Sequence, residues 1–92
     1  MSLEQNPVIQ KSLRRLRKLG LKVYLDAPSD DSLMVVVDPK SIIESVVRLV
    51  NNNITYNPHL VRYVPEKDTV VIAFWRGEKP GWVVKLESLS KM

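Results

Sequence analysis

Apolar residues recur along the N-terminal segment with the period of a helix. At about 100° per residue, Val8, Ile9, Leu13, Leu16 and Leu19 fall within an arc of about 140°. Asn6-Pro7 supplies a side-chain cap and then a proline at the first helical position, and Gly20 suits the left-handed residue just past the end. A helix over residues 7–19 is predicted, with Ser12 the one polar residue inside its apolar arc.

The period then changes to two. In LKVYLD, residues 21–26, Leu21, Val23 and Leu25 alternate with Lys22, Tyr24 and Asp26, the pattern of a half-buried strand. Residues 27–32 read as a turn, and residues 33–37 as a short, buried, β-branched strand. Asp38-Pro39 repeats the cap-plus-proline signal, and Ser41 with Glu44 forms an overlapping capping box. A second helix is therefore expected from there to about Asn52, with a broad apolar stripe that includes Ile42, Val46, Leu49 and Val50. Asn57-Pro58 reads as a turn, residues 60–64 as a strand and residues 65–68 as a hairpin connection. Residues 69–76 are apolar on both faces, so this strand should be central. A loop over residues 77–81 and a closing strand over residues 82–87 complete the pattern, with residues 1–6 and 88–92 expected to fray.

The order α-β-β-α-β-β-β predicts a single α+β domain over residues 1–92. The expected form is a two-layer sandwich, with two helices on one face of a mixed four- to five-stranded sheet. The mixed character follows if the strand–helix–strand passage through residues 33–64 is a right-handed crossover between parallel strands. On this reading nothing in the chain covers the second sheet face. Val71, Ala73 and Trp75 would lie there as an interface, and a homodimer is expected.

Composition narrows the possibilities. At 45% hydrophobic and 26% charged residues, the chain is not of the wholly disordered kind. It has no cysteine, which excludes disulfides, thiolate metal sites and cysteine nucleophiles. The longest apolar stretch, residues 70–75, is far too short to span a bilayer, and the first residues lack the pattern of a secretory leader. No membrane association is expected, and the cytoplasm is the expected compartment.

The net charge of +4 is unevenly placed. Residues 1–22 hold Lys11, Arg14, Arg15, Arg17, Lys18 and Lys22 against Glu4 alone, a net of +5, which leaves the remainder at −1. On the helix the five cations occupy an arc of about 160° opposite the apolar stripe. A helix built for stability alone mixes acids with bases at i, i+4 spacing, and this one does not. Arg forms paired hydrogen bonds to phosphate. The leading expectation is thus a small non-enzymatic nucleic-acid-binding protein that contacts phosphates of DNA or RNA through Lys11, Arg14, Arg15, Arg17 and Lys18, with Lys22 extending the patch. The bland counterpart is a solvated helix face.

Other signals are weaker. Trp75, Arg76, Lys79 and Trp82 combine aromatic and basic character as single-strand binders do, although two packing tryptophans would look the same. The alternative function is a protein-interaction domain working through the open sheet face around Trp75. A third is a metal-dependent nuclease using Asp38, with Lys40 two residues on and Asp26, Asp30 and Asp31 as further ligands. Asp38 already has a capping role in this reading, and no second acid–lysine element follows on a later strand. His59, the single histidine, has no nucleophile indicated nearby. No residue pattern specifies a catalytic set, a metal site or a cofactor.

Overall fold

The computed structural model describes residues 2–39, 41–56 and 59–89. After a 3-10 turn at Leu3–Gln5 come α1 (Pro7–Lys18), β1 (Lys22–Ser29), β2 (Ser32–Asp38), α2 (Ile43–Asn53), β3 (His59–Val64), β4 (Thr69–Trp75) and α3 (Gly81–Glu87). The domain is α+β, as expected. Its last element is a helix rather than a strand, which makes the order α-β-β-α-β-β-α.

Both ends of α1 are set by local chemistry. Asn6 Oδ1 accepts from the backbone N–H groups of Val8 and Ile9 at 2.9 and 3.3 Å, and Pro7 occupies the first helical position. At the other end Gly20 has φ +87°, its N–H donates to Arg17 O at 3.0 Å, and Leu21 N–H donates to Leu16 O at 3.3 Å. These two bonds close the last turn around a left-handed glycine. Leu3, in the 3-10 turn ahead of α1, is fully buried, and its N–H donates to Asp30 O at 3.1 Å.

α2 starts later than its sequence signals imply. Asp38 remains in β2, in register with Lys22 of β1, and so is not available as a cap. The residue before the helix is Ile42, and no side chain caps it, so the Ser41–Glu44 box does not form. Lys40, Asn57 and Pro58 lie outside the described residues, as do Met1 and residues 90–92.

The sheet order is β1-β2-β4-β3, and every neighbouring pair is antiparallel. The expected mixed sheet is not found. β2 and β3, joined through α2, do run in the same direction, but β4 lies between them. The chain thus forms two hairpins, each preceded by a helix, that meet along β2 and β4.

α1 and α2 cover one sheet face. Ile9, Leu13 and Leu16 of α1 and Val46 and Val50 of α2 close over Leu33, Val35 and Val37 of β2 and Val70, Ile72 and Phe74 of β4. The second face is also partly covered, against expectation. Val71 and Ala73 are buried and Trp75 half-buried, packed with Val83 and Leu86 of α3. Val71, Ala73 and Trp75, expected on a bare face as a homodimer interface, are instead partly covered by α3, so helices lie on both sides of the sheet and the arrangement is not two-layered.

The misreading of residues 82–87 has a simple cause. Trp82, Val84 and Leu86 satisfy a strand period, whereas Trp82, Val83, Leu86 and Leu89 satisfy a helical one, and a run this short supports either. β-branched Val83 and Val84 favour a strand intrinsically. Tertiary demand overrides that preference, because the second face of β4 needs cover and a helix on it can bury Val83 and Leu86 together. The two periods predict opposite outcomes at neighbouring residues. Val84, outward-facing on α3, should tolerate Val84→Glu within about 0.5 kcal/mol. Val83→Glu should cost more than about 3 kcal/mol and unfold the domain, as measured by urea denaturation.

Candidate functional site

The helix α1 lies beside β1 and contacts α2 on the first sheet face. Its buried residues are Ile9, Ser12, Leu13 and Leu16. Lys11, Arg14, Arg17 and Lys18 are exposed on the opposite side, and Arg15 is half-buried at one flank of the charged arc. From Lys11 to Lys18 the charges span roughly 10 Å along the axis.

Ser12 lies on the buried side of this helix. Its hydroxyl shares a 3.1 Å hydrogen bond with Thr55 Oγ1 and accepts from Thr55 N–H at 3.3 Å. The one polar residue in the apolar arc is therefore a tie between α1 and the chain leaving α2. It acts together with the buried stripe of Ile9, Leu13 and Leu16, which turns the opposite, cationic side of α1 outward.

Among the described residues, none of these five cations has a carboxylate partner. The ion pairs present are Arg76–Asp31 at 2.9 Å and Lys79–Glu87 at 2.7 Å, both on other elements. A surface pair contributes little to stability, so a lone cation here costs the fold little. What it retains is its full capacity to meet an anion from outside.

Lys22 is placed differently. Val23 and Leu25 of β1 pack into the core under α1, so by strand alternation Lys22, Tyr24 and Asp26 project from the opposite sheet face. Lys22 therefore does not extend the α1 face.

The remaining sequence candidates have structural duties. Lys79 Nζ sits 5.7 Å from the Trp75 ring centroid, and Trp82 Nε1 donates to Ser32 Oγ at 3.4 Å. Arg76 joins the end of β4 to the β1–β2 turn: its Nε donates to Asp31 Oδ1 at 3.1 Å and its Nη2 to Asp30 O at 2.9 Å. The aromatic–basic group is thus occupied in joining α3 and the β1–β2 turn to β4. Asp30 and Asp31 serve that turn, whereas Asp38 stands across from Lys22, and among the described residues no three His, Asp or Glu side chains gather as metal ligands would. His59 Nδ1 lies 2.9 Å from Tyr56 O, and its ring tilts against Phe74.

The second face also holds a feature that the sequence reading missed. A groove of about 580 Å³ lies between α3 and the sheet, and its lining includes Met34, Val36, Val71 and Thr69 with the ionic residues Glu66, Lys67 and Lys85. Reading residues 82–87 as a strand hid it. The helical spacing of Trp82, Lys85, Leu86 and Leu89, all of which line it, was the available signal.

Compared with family models, curated proteins and solved structures, the chain shows no significant match. No helix among the described residues is long and apolar enough to cross a membrane.

The tie at Ser12 can be measured. Ser12→Ala should lower stability by about 1 kcal/mol, and Thr55→Val by a similar amount. The double variant should lose less than the sum of the two in denaturant titrations, because both changes remove one shared hydrogen bond.

Proposed function

We propose that this domain is a non-enzymatic nucleic-acid-binding protein whose α1 face docks on the phosphate backbone. One observation carries the reading: Lys11, Arg14, Arg15, Arg17 and Lys18 point away from the core on one helix, and none is matched by an acid among the described residues. Repulsion within such a set is relieved when an external polyanion binds. Nucleic acid is the polyanion whose charge spacing best suits cations set along about 10 Å of a rigid rod. Arg supplies paired hydrogen bonds to phosphate oxygens, and the neighbouring Lys residues add point charge.

The same chemistry limits the mode of binding. Phosphate contacts set position without reading sequence. The α1 face carries no aromatic ring, and Trp75 and Trp82 are held on the other side of the sheet. Binding is therefore sequence-tolerant and electrostatic.

The test is a titration of the protein against duplex DNA, single-stranded DNA and RNA at two salt concentrations. Three to five phosphate contacts give a log–log salt slope of roughly −3 to −5 on duplex DNA. The triple variant Arg14→Glu, Arg17→Glu, Lys18→Glu alters only exposed positions; with two of them in the last turn of α1 it should cost about 1–2 kcal/mol, leave the domain folded by circular dichroism, and abolish measurable affinity. Absence of binding at about 50 mM salt, or binding that survives the triple reversal, would refute the proposal.

A further inference from the structure

β1 is an edge strand with an unused side. It pairs with β2, and among the described residues no strand lies beyond it. Its pairing with β2 is regular from Lys22 to Asp26 and then shifts before Ser29. In an antiparallel pair, alternate residues turn their backbone N–H and C=O groups away from the partner strand. Among the described residues, no backbone group outside the sheet bonds to residues 22–26. Such a row is a template for another strand. The opposite edge is more enclosed, because all six residues of β3 are half-buried and both α2 and α3 contact it.

The regular segment of β1 is complementary to itself. Lys22 and Asp26 are exposed, and neither has an ion-pair partner among the described residues. Tyr24 stands midway between them and is 53% exposed. A two-fold axis normal to the sheet at Tyr24 sets the segment antiparallel to its own copy. Lys22 then faces Asp26 of the copy, Asp26 faces Lys22, Tyr24 faces Tyr24, and Val23 faces Leu25 on the core side. Opposite charges and aromatic pairs directly across a ladder are stabilising, and like charges there are destabilising. Asp38 of β2 lies on the other side of Lys22, so acid and base alternate across the joint. Neighbouring registers lose this match. An axis at Val23 or Leu25 sets Tyr24 against Lys22 or Asp26, and an axis at Lys22 or Asp26 opposes a charge to itself.

We propose that β1 pairs with β1 of a second copy of this chain about the axis at Tyr24, joining two four-stranded sheets into one of eight strands. The contact is isologous, with each copy supplying the same five residues. Rotation about an axis normal to the sheet keeps the two first faces on one side. α1 contacts β1, so the two α1 helices flank the axis and their cations lie on the same side of the dimer. The pairing stands independently of nucleic-acid binding; only the doubling of the cationic face rests on that reading.

Sedimentation velocity on the full chain without nucleic acid tests the pairing. The chain should pass from monomer to dimer between about 1 µM and 1 mM. Lys22→Asp and Asp26→Lys each set like charges across the joint, and each alone should weaken the dimer about tenfold or more. An equimolar mixture of the two variants should recover the original association, because each copy then supplies the charge that the other lacks. Circular dichroism checks that both variants are folded. The register has its own readout. The chain has no cysteine, so Tyr24→Cys introduces a single thiol. Facing Cα atoms lie about 4.5–5.5 Å apart, within disulfide reach, whereas Asp26→Cys leaves its two thiol positions roughly 13 Å apart. Mild oxidation should crosslink the Tyr24→Cys variant at least about tenfold faster. A monomer at every concentration, single charge variants that associate like the original, a mixture no stronger than its components, or equal crosslinking at the two positions overturns the proposal.

Discussion

β4 has to be buried on both faces. Six of its seven residues, Thr69 through Phe74, are buried, and alternate side chains leave the strand in opposite directions. A strand of this kind cannot sit at a sheet edge or face water on either side. Its two strand neighbours follow from that: β2 flanks it on one side and β3 on the other, which puts β1 and β3 at the edges. The helices follow as well. α1 and α2 bury Val70, Ile72 and Phe74 from one side, whereas α3 buries Val71 and Ala73 from the other.

This demand also divides the surface into two regions of different character. Because the first face is closed by two amphipathic helices, burial of Ile9, Leu13 and Leu16 leaves the polar side of α1 as the outer surface of the domain, and Ser12 ties the helix to Thr55. Because the second face is closed by one helix of only seven residues, cover there is incomplete. The groove beside α3 is what a short helix leaves open on a four-stranded sheet. The charged face and the apolar groove thus share one origin in the covering of β4, and they lie on opposite sides of the sheet. The tryptophans belong to the closure: Trp75 and Trp82 pack around α3, with Lys79 over the Trp75 ring and the Trp82 indole N–H donating to Ser32 Oγ.

Signals confined to one element were legible. The α1 boundaries could be read because cap, proline, period and glycine act within a few residues of one another, and Asn6, Pro7 and Gly20 do as their types dictate. The same kind of signal misled at α2, where Asp38-Pro39 resembles a helix start. Pairing of Asp38 in β2 opposite Lys22 outweighs a local cap, because the strand continues as far as its partner does. The position of Lys22 was within reach too, since alternation with Val23 places it away from the core, but which face of the sheet α1 occupies is not a local property.

The sequence by itself determined the α+β class, the amphipathic α1 with its five outward cations, the hairpin of β3 and β4, and the centrality of β4. Each depends on periodicity or on charge within one segment. Tertiary structure alone decided that the sheet is antiparallel throughout, that residues 81–87 are helical, and that the second face is partly covered rather than bare. The physical reason is that six residues of mixed apolar pattern bury comparable surface as strand or helix. The choice between them is made by the shape of the uncovered area on β4, which exists only once the strands have assembled.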